Sequence, residues 1–134
     1  MPTDPMEKGG QVIGTLESLD FNSGSYFSGQ FELKIRKQKL QSAYGTFVWD
    51  PQKAVEKTLT PEEAKQLTEL LNSIQVLGWK RKYSDLGVLD GFSWSLTLVY
   101  DHGQRKKTEG YVATPDGFDQ LEDFFYQLAD YQGN

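Results

Sequence analysis

The chain of 134 residues contains no cysteine. A disulfide framework, a thiolate zinc site and a cysteine nucleophile are therefore excluded. Long apolar runs are missing as well: no stretch approaches the roughly 18 residues of a membrane-spanning helix. The opening "MPTDPMEKGG" combines acidic residues and prolines with no apolar core, unlike a signal peptide. A cytoplasmic protein with no membrane association is the expectation. G-x-G-x-x-G, a P-loop and H-E-x-x-H are also absent. "GFSWS" is not the G-x-S-x-G of a nucleophile elbow, and Ser93 and Ser95 fall on a candidate strand. These absences point away from an enzyme, and no catalytic residue, metal site or cofactor is assigned.

What is present is a folding composition. Hydrophobic residues make up 37% and aromatic residues 13%, a level that disordered chains do not reach. One domain is expected at this length, burying roughly two thirds of its unfolded surface. The net charge of -5 and pI of about 4.8 disfavour nucleic acid, whose phosphates need a basic face. The same acidity suits a basic protein partner.

Residues 1–10 read as a flexible terminus and residues 11–132 as a single α+β domain. "QVIGTLESLDF" reads as a strand bulged at Gly14, and "NSG" at 22–24 as a turn. "SYFSGQFELKIR" alternates, with Phe27, Phe31, Leu33 and Ile35 on one side and charged residues on the other. "SAYGTFVWD" is a third strand, rich in aromatic and β-branched residues. In "LTPEEAKQLTELLNSIQVLG", Thr60 is a natural N-cap, Pro61 suits the first helical position and Glu63 completes a capping box. Leu67, Leu70, Leu71, Ile74 and Leu77 recur at helical spacing, and Gly78 is the expected stop. Trp79 to Leu89 is a connection. "FSWSLTLVYD" sets Phe92, Trp94, Leu96, Leu98 and Tyr100 on one face, "DHGQ" turns, and "RKKTEGYVA" returns as a strand. "TPDGFDQLEDFFYQLADYQ" is a second helix capped by Thr114 or Asp116, with Phe118, Leu121, Phe124, Phe125 and Leu128 inward. The expected order is βββ-α-ββ-α: an antiparallel sheet of about five strands with two helices packed on one face.

The stretch richest in chemistry is "SDLGVLDGFSWSLTLVYDHG", residues 84 to 103. It holds Asp85, Asp90, Asp101 and the single histidine, His102. An EF-hand loop needs oxygen ligands on alternate residues ahead of its glycine and a glutamate six residues beyond it. With Gly91 as that glycine, Val88 and Leu86 fall on ligand positions and Thr97 replaces the glutamate, so the motif fails. Asp90-Gly91 is ordinary turn chemistry, and His102 beside Gly103 sits at a hairpin tip. "KIRKQK", "KRK" and "RKK" lie at strand ends or turns, where lysines protect edges and keep a protein soluble. Trp79 and Tyr83 flank the second of these clusters. Exposed, they would anchor an interface; buried, they would pin the connection to the sheet.

Taken together, W-K-x-x-Y (79–83), D-G-x-x-W-S-L (90–96) and P-x-x-F-x-x-L (115–121) resemble a group of small bacterial α+β proteins of unknown function. The resemblance spans about residues 60 to 128. It implies a bacterial source and the α+β fold, and brings no activity. That group usually reads G-x-N-x-Y-P before the last helix. Here the segment is "GYVATP", with Val112 in place of the asparagine and Thr114 in place of the tyrosine.

The leading functional expectation is a non-enzymatic protein-binding module of the inhibitor or immunity type. The binding candidates are Trp79, Tyr83, Asp85, Asp90, Asp101 and His102. A second reading is a small-ligand binder or enzyme with Asp85, Asp90 and Asp101 at a pocket mouth near Trp79. A third is nucleic-acid binding through the basic clusters. An exposed strand edge would also permit a homodimer.

Overall fold

The computed structural model describes residues 12–25, 29–36, 39–45, 55–84 and 91–129. Seven strands among them form one sheet: β1 (Leu16–Ser25), β2 (Gly29–Arg36), β3 (Lys39–Gly45), β4 (Val55–Thr58), β5 (Lys82–Ser84), β6 (Ser93–Tyr100) and β7 (Gln104–Tyr111). Two helices, α1 (Pro61–Ser73) and α2 (Phe118–Leu128), complete it, and a 3-10 turn at Val76–Gly78 follows α1. The strand order is β4-β3-β2-β1-β6-β7-β5. All neighbours are antiparallel except β5 and β7. Among the described residues no helix is long and apolar enough to cross a membrane.

The α+β class is as expected, but the sheet is mixed and has seven strands, not about five. The two additions are edges too short to show an alternating pattern. β4 is four residues long and β5 only three, the latter within the segment expected to be a plain connection.

Strand β1 runs through Asn22-Ser23-Gly24, where a turn was expected. Pairing on both sides overrides turn propensity there: Asn22 lies opposite Glu32 and Ser95, and Ser23 opposite Phe31 and Trp94. Gly24 is needed for close approach, since a Cβ would sit 2.5 Å from the Gly29 carbonyl oxygen. The expected bulge at Gly14 falls instead at Glu17, where the register shifts between Leu16 and Ser18. Of the third expected strand, residues 46–50 lie outside the described residues, as does Phe27.

The capping box of α1 forms as expected. Glu63 N–H donates to Thr60 Oγ1 at 3.0 Å, and Thr60 N–H to Glu63 Oε1 at 3.0 Å. These contacts and Lys57, 3.1 Å from Glu63 Oε2, hold the Glu63 carboxyl below its ordinary pKa. The helix ends at Ser73, ahead of the expected stop at Gly78. Gln75 turns left-handed at φ 57, and the tighter turn that follows buries Val76. Neither Thr114 nor Asp116 caps α2. Its N-cap is Gly117 at φ 92, where a Cβ would meet Ile74 Cβ at 2.7 Å. Close approach of the two helical segments, not cap chemistry, sets that start.

The core is built in rows across the sheet. Ile35, Leu19 and Leu98 form one row, Leu33, Phe21, Leu96 and Thr108 the next, and Phe31, Ser23, Trp94 and Gly110 a third. Helix α2 lays Phe125 on Phe21 and Phe118 on Trp94, each at 4.8 Å between ring centroids. Leu67 and Leu71 of α1 join the same buried cluster. Both helices therefore cover one face.

Trp94 occupies a made-to-measure seat. Gly110 lies directly opposite it, and a Cβ there would be 2.3 Å from Trp94 Nε1. The indole N–H donates to the Ala113 carbonyl at 2.9 Å. That carbonyl is presented by a three-residue turn, closed by Ala113 N–H to the Tyr111 carbonyl at 2.7 Å, with Val112 at φ 67. A β-branched residue is strained in that region. Gly110→Ala is expected to destabilise the fold by about 2–3 kcal/mol, as overpacking against a rigid ring does, read from the denaturant midpoint. Val112→Asn is expected to stabilise it by about 1 kcal/mol, because asparagine tolerates positive φ; an unchanged midpoint would count against the strain.

Candidate functional site

The chain from Trp79 to Ser84 lies against β6 and β7. Trp79 is buried, and its indole N–H donates to the Ile74 carbonyl at 3.3 Å. Tyr83 is half-buried, and its Oη accepts from Lys80 N–H at 2.8 Å. Both rings lie 6.1 Å from Trp94. Inward-facing polar groups of β7 fix the backbone. Thr108 Oγ1 donates to the Lys80 carbonyl at 2.6 Å, and Lys106 Nζ donates to the Trp79 carbonyl. Burial pulls the Lys106 pKa down. Trp79 is thus a core residue, while Tyr83 keeps an exposed side. Beside them, Gln75, Pro115 and Asp116 help line a shallow cleft of about 400 Å³.

Asp101 and His102 stand at the β6–β7 hairpin tip with left-handed backbones, φ 43 and 67. The Asp101 carboxylate accepts from Thr15 N–H at 2.6 Å and from Gly14 N–H at 3.1 Å. Asp101 N–H in turn donates to the Thr15 carbonyl at 3.0 Å. These backbone donors, Thr15 first, hold its pKa below the ordinary carboxylate value. His102 is exposed, and its backbone N–H donates to Glu17 Oε2 at 2.7 Å. Helix α1 grips the same segment from the other side, where Asn72 exchanges two hydrogen bonds with the Ile13 backbone at 2.8 and 3.0 Å. The hairpin tip is a clasp for Gly14 and Thr15, with Ile13 held by Asn72.

The structure does not bring Asp101 to the aromatic pair. The rings gather at Trp94, near the start of β6, and Asp101 follows its end, roughly 20 Å along the strand. Asp85 and Asp90 lie outside the described residues. Among the described residues, no three His, Cys, Asp or Glu side chains group as metal ligands.

A feature not anticipated from the totals is the division of charge between the two layers. The seven strands carry eight basic and five acidic residues; the two helices carry one basic and six acidic. Glu62, Glu69, Asp119 and Asp123 are exposed on the helical layer, with Asp116 just before α2. Glu122 is half-buried and accepts from Ser23 Oγ at 3.2 Å. Burial raises its pKa; hydrogen bonds from Tyr126 and Ser23 oppose the rise, and Asp119 and Asp123 add to it. Charge counted element by element would have found this division in the sequence.

The chain matches no protein-family model, no curated protein and no solved structure.

The clasp has a pH signature. A carboxyl whose folded pKa is lowered stabilises the fold above its unfolded pKa, and that contribution is lost as pH falls through the folded value. Asp101→Asn is therefore expected to melt lower than the parent chain near neutral pH, with faster hydrogen exchange at Gly14 and Thr15. The gap should close once pH drops below the ordinary carboxylate range. A gap that stays constant down to strong acid would show that the carboxylate charge is not what holds the clasp.

Proposed function

We propose that the chain is a non-enzymatic protein-binding module, of the inhibitor or immunity type, whose acidic helical layer takes up a basic protein. One observation carries this reading: the acidic excess lies on the helices, while the strands are net basic. A layer of one sign steers an oppositely charged partner and orients it, because the basic sheet side repels the same partner. Lys65 is the single basic residue of the two helices. Glu69 and Asp123 form no ion pair among the described residues, so their charge is available to a partner.

The test is capture of basic proteins from a bacterial lysate on the immobilised full chain, followed by a salt series. A stoichiometric partner is expected to leave as salt rises. Glu69→Lys combined with Asp123→Lys should lower its affinity by about tenfold or more with the melting temperature kept, as lost charge complementarity between close pairs does. Capture indifferent both to salt and to these reversals would overturn the reading.

A further inference from the structure

The face of the sheet opposite the helices holds a concavity of about 450 Å³, within the size range of small-molecule sites. Cross-strand register builds it from two rows. One row reads Gln30, Gly24, Ser93, Tyr111 and Ser84; the other holds Asn22, Ser95, Glu109 and Lys82. Gly24 leaves a gap in the middle of the first row, and the approach of the Gly29 carbonyl prevents any side chain from filling it. Tyr111, half-buried, stands as one wall.

The chemistry of the lining is specific. Its two charged groups, Lys82 and Glu109, are 3.9 Å apart, and the same Glu109 oxygen pairs more closely with Arg81 at 3.4 Å, so the carboxylate is fully matched. A cationic ligand would lose hydration here and meet no uncompensated carboxylate. The remaining polar groups are hydroxyls and amides, each able both to donate and to accept. Asn22 Nδ2 reaches Ser95 Oγ at a long 3.4 Å. Among the described residues, the side chains of Gln30, Ser84 and Ser93 have no hydrogen-bond partner. Such groups on an open sheet are usually just solvated; here they converge on a gap beside an aromatic wall.

We propose that this concavity binds a neutral saccharide. The ring hydroxyls would exchange hydrogen bonds with Asn22, Ser93 and Ser95, and the C–H face of the ring would lie on Tyr111. The site is on the opposite side of the molecule from the acidic layer and does not depend on it.

The experiment is titration of the isotope-labelled full chain with cellobiose, maltose and diacetylchitobiose, followed by amide shifts. At least one sugar is expected to give saturating shifts centred on Asn22, Gln30, Ser93 and Ser95. Asn22→Ala combined with Ser95→Ala should weaken that binding by about tenfold, as loss of two hydrogen bonds does, with melting temperature and salt-sensitive protein capture unchanged. Three outcomes would each overturn the proposal: no saturation by any of the three sugars up to about 20 mM, a concentration that would reveal even millimolar affinity; shifts centred on another surface; or a stronger response to glucuronate or adenosine than to any neutral sugar. These readouts report on the sheet face alone, so failure here and failure of protein capture are separately visible.

Discussion

The seat of Trp94 on Gly110 is the contact that the rest of the architecture depends on. The indole lies on the inner face of β6, and its position is fixed by a missing side chain below and a hydrogen bond to Ala113 at its edge. Two separate parts of the chain then pack three rings on it: Trp79 and Tyr83 from the connection after α1, and Phe118 from the start of α2. Removing a large buried ring costs about 3–5 kcal/mol in general. Here the loss would also unseat the connection that carries β5, since the Thr108 and Lys106 bonds reach the backbone of that same connection. The strain at Val112 is understandable in these terms. The turn must bring the Ala113 carbonyl back over the sheet in three residues, and the indole N–H rewards that geometry.

The two faces of the sheet follow from the same seat. Once Trp94 faces inward, period two sends Ser93, Ser95 and Thr97 outward, and pairing sets Glu109 and Tyr111 beside them. A register slip of one residue on β7 would put Glu109 under the indole and Gly110 on the open face. The register that packs the core therefore also builds the polar concavity. Likewise, the hairpin that closes β6 on β7 places Asp101 against Thr15. Core, clasp and concavity are three consequences of one strand register.

Parts of this were legible in the sequence and parts were not, for physical reasons. The capping box at Thr60 and Glu63 uses only local atoms, so its motif could be read directly. The alternation of β6 and of Phe31, Leu33 and Ile35 in β2 reports a sheet with one wet face, and that too is written locally. What failed was decided at a distance. Asn22-Ser23-Gly24 has turn composition, yet neighbours on both sides hold it extended. The start of α2 is set by Ile74 against Gly117, which cap preferences cannot reveal. The clasp made by Asp101 was likewise hidden, because its partners, the Gly14 and Thr15 amides, are far away in sequence and carry no side-chain signal. Trp79 and Tyr83 were ambiguous between anchor and core. The hydrogen bonds to Ile74 and Lys80 show what their polar tips do in the fold.

The division of charge is harder to explain as a by-product of folding. Acidic residues in the first turn of a helix are favourable, and Glu62, Glu63 and Asp119 fall there. That accounts for half of the helical acids. Glu69 and Asp123 lie beyond those first turns, and neither helix has a basic residue in its last turn to complement the dipole. Burial chiefly, and Asp119 and Asp123 in addition, push up the pKa of Glu122, so the neighbouring acids do not favour its charge. Local helix stability would favour lysine or arginine toward the C-terminal ends, and the strands show that the chain has basic residues in number. Apart from Lys57, which pairs with Glu63, and the inward-facing Lys106, they lie away from the helical acids, and this gives the molecule a polarity that its own stability does not require. On the proposed reading, an approaching basic surface would supply the compensation that the isolated helices lack, which makes the acidic layer a stronger basis for that proposal than the aromatic pair or the hairpin tip.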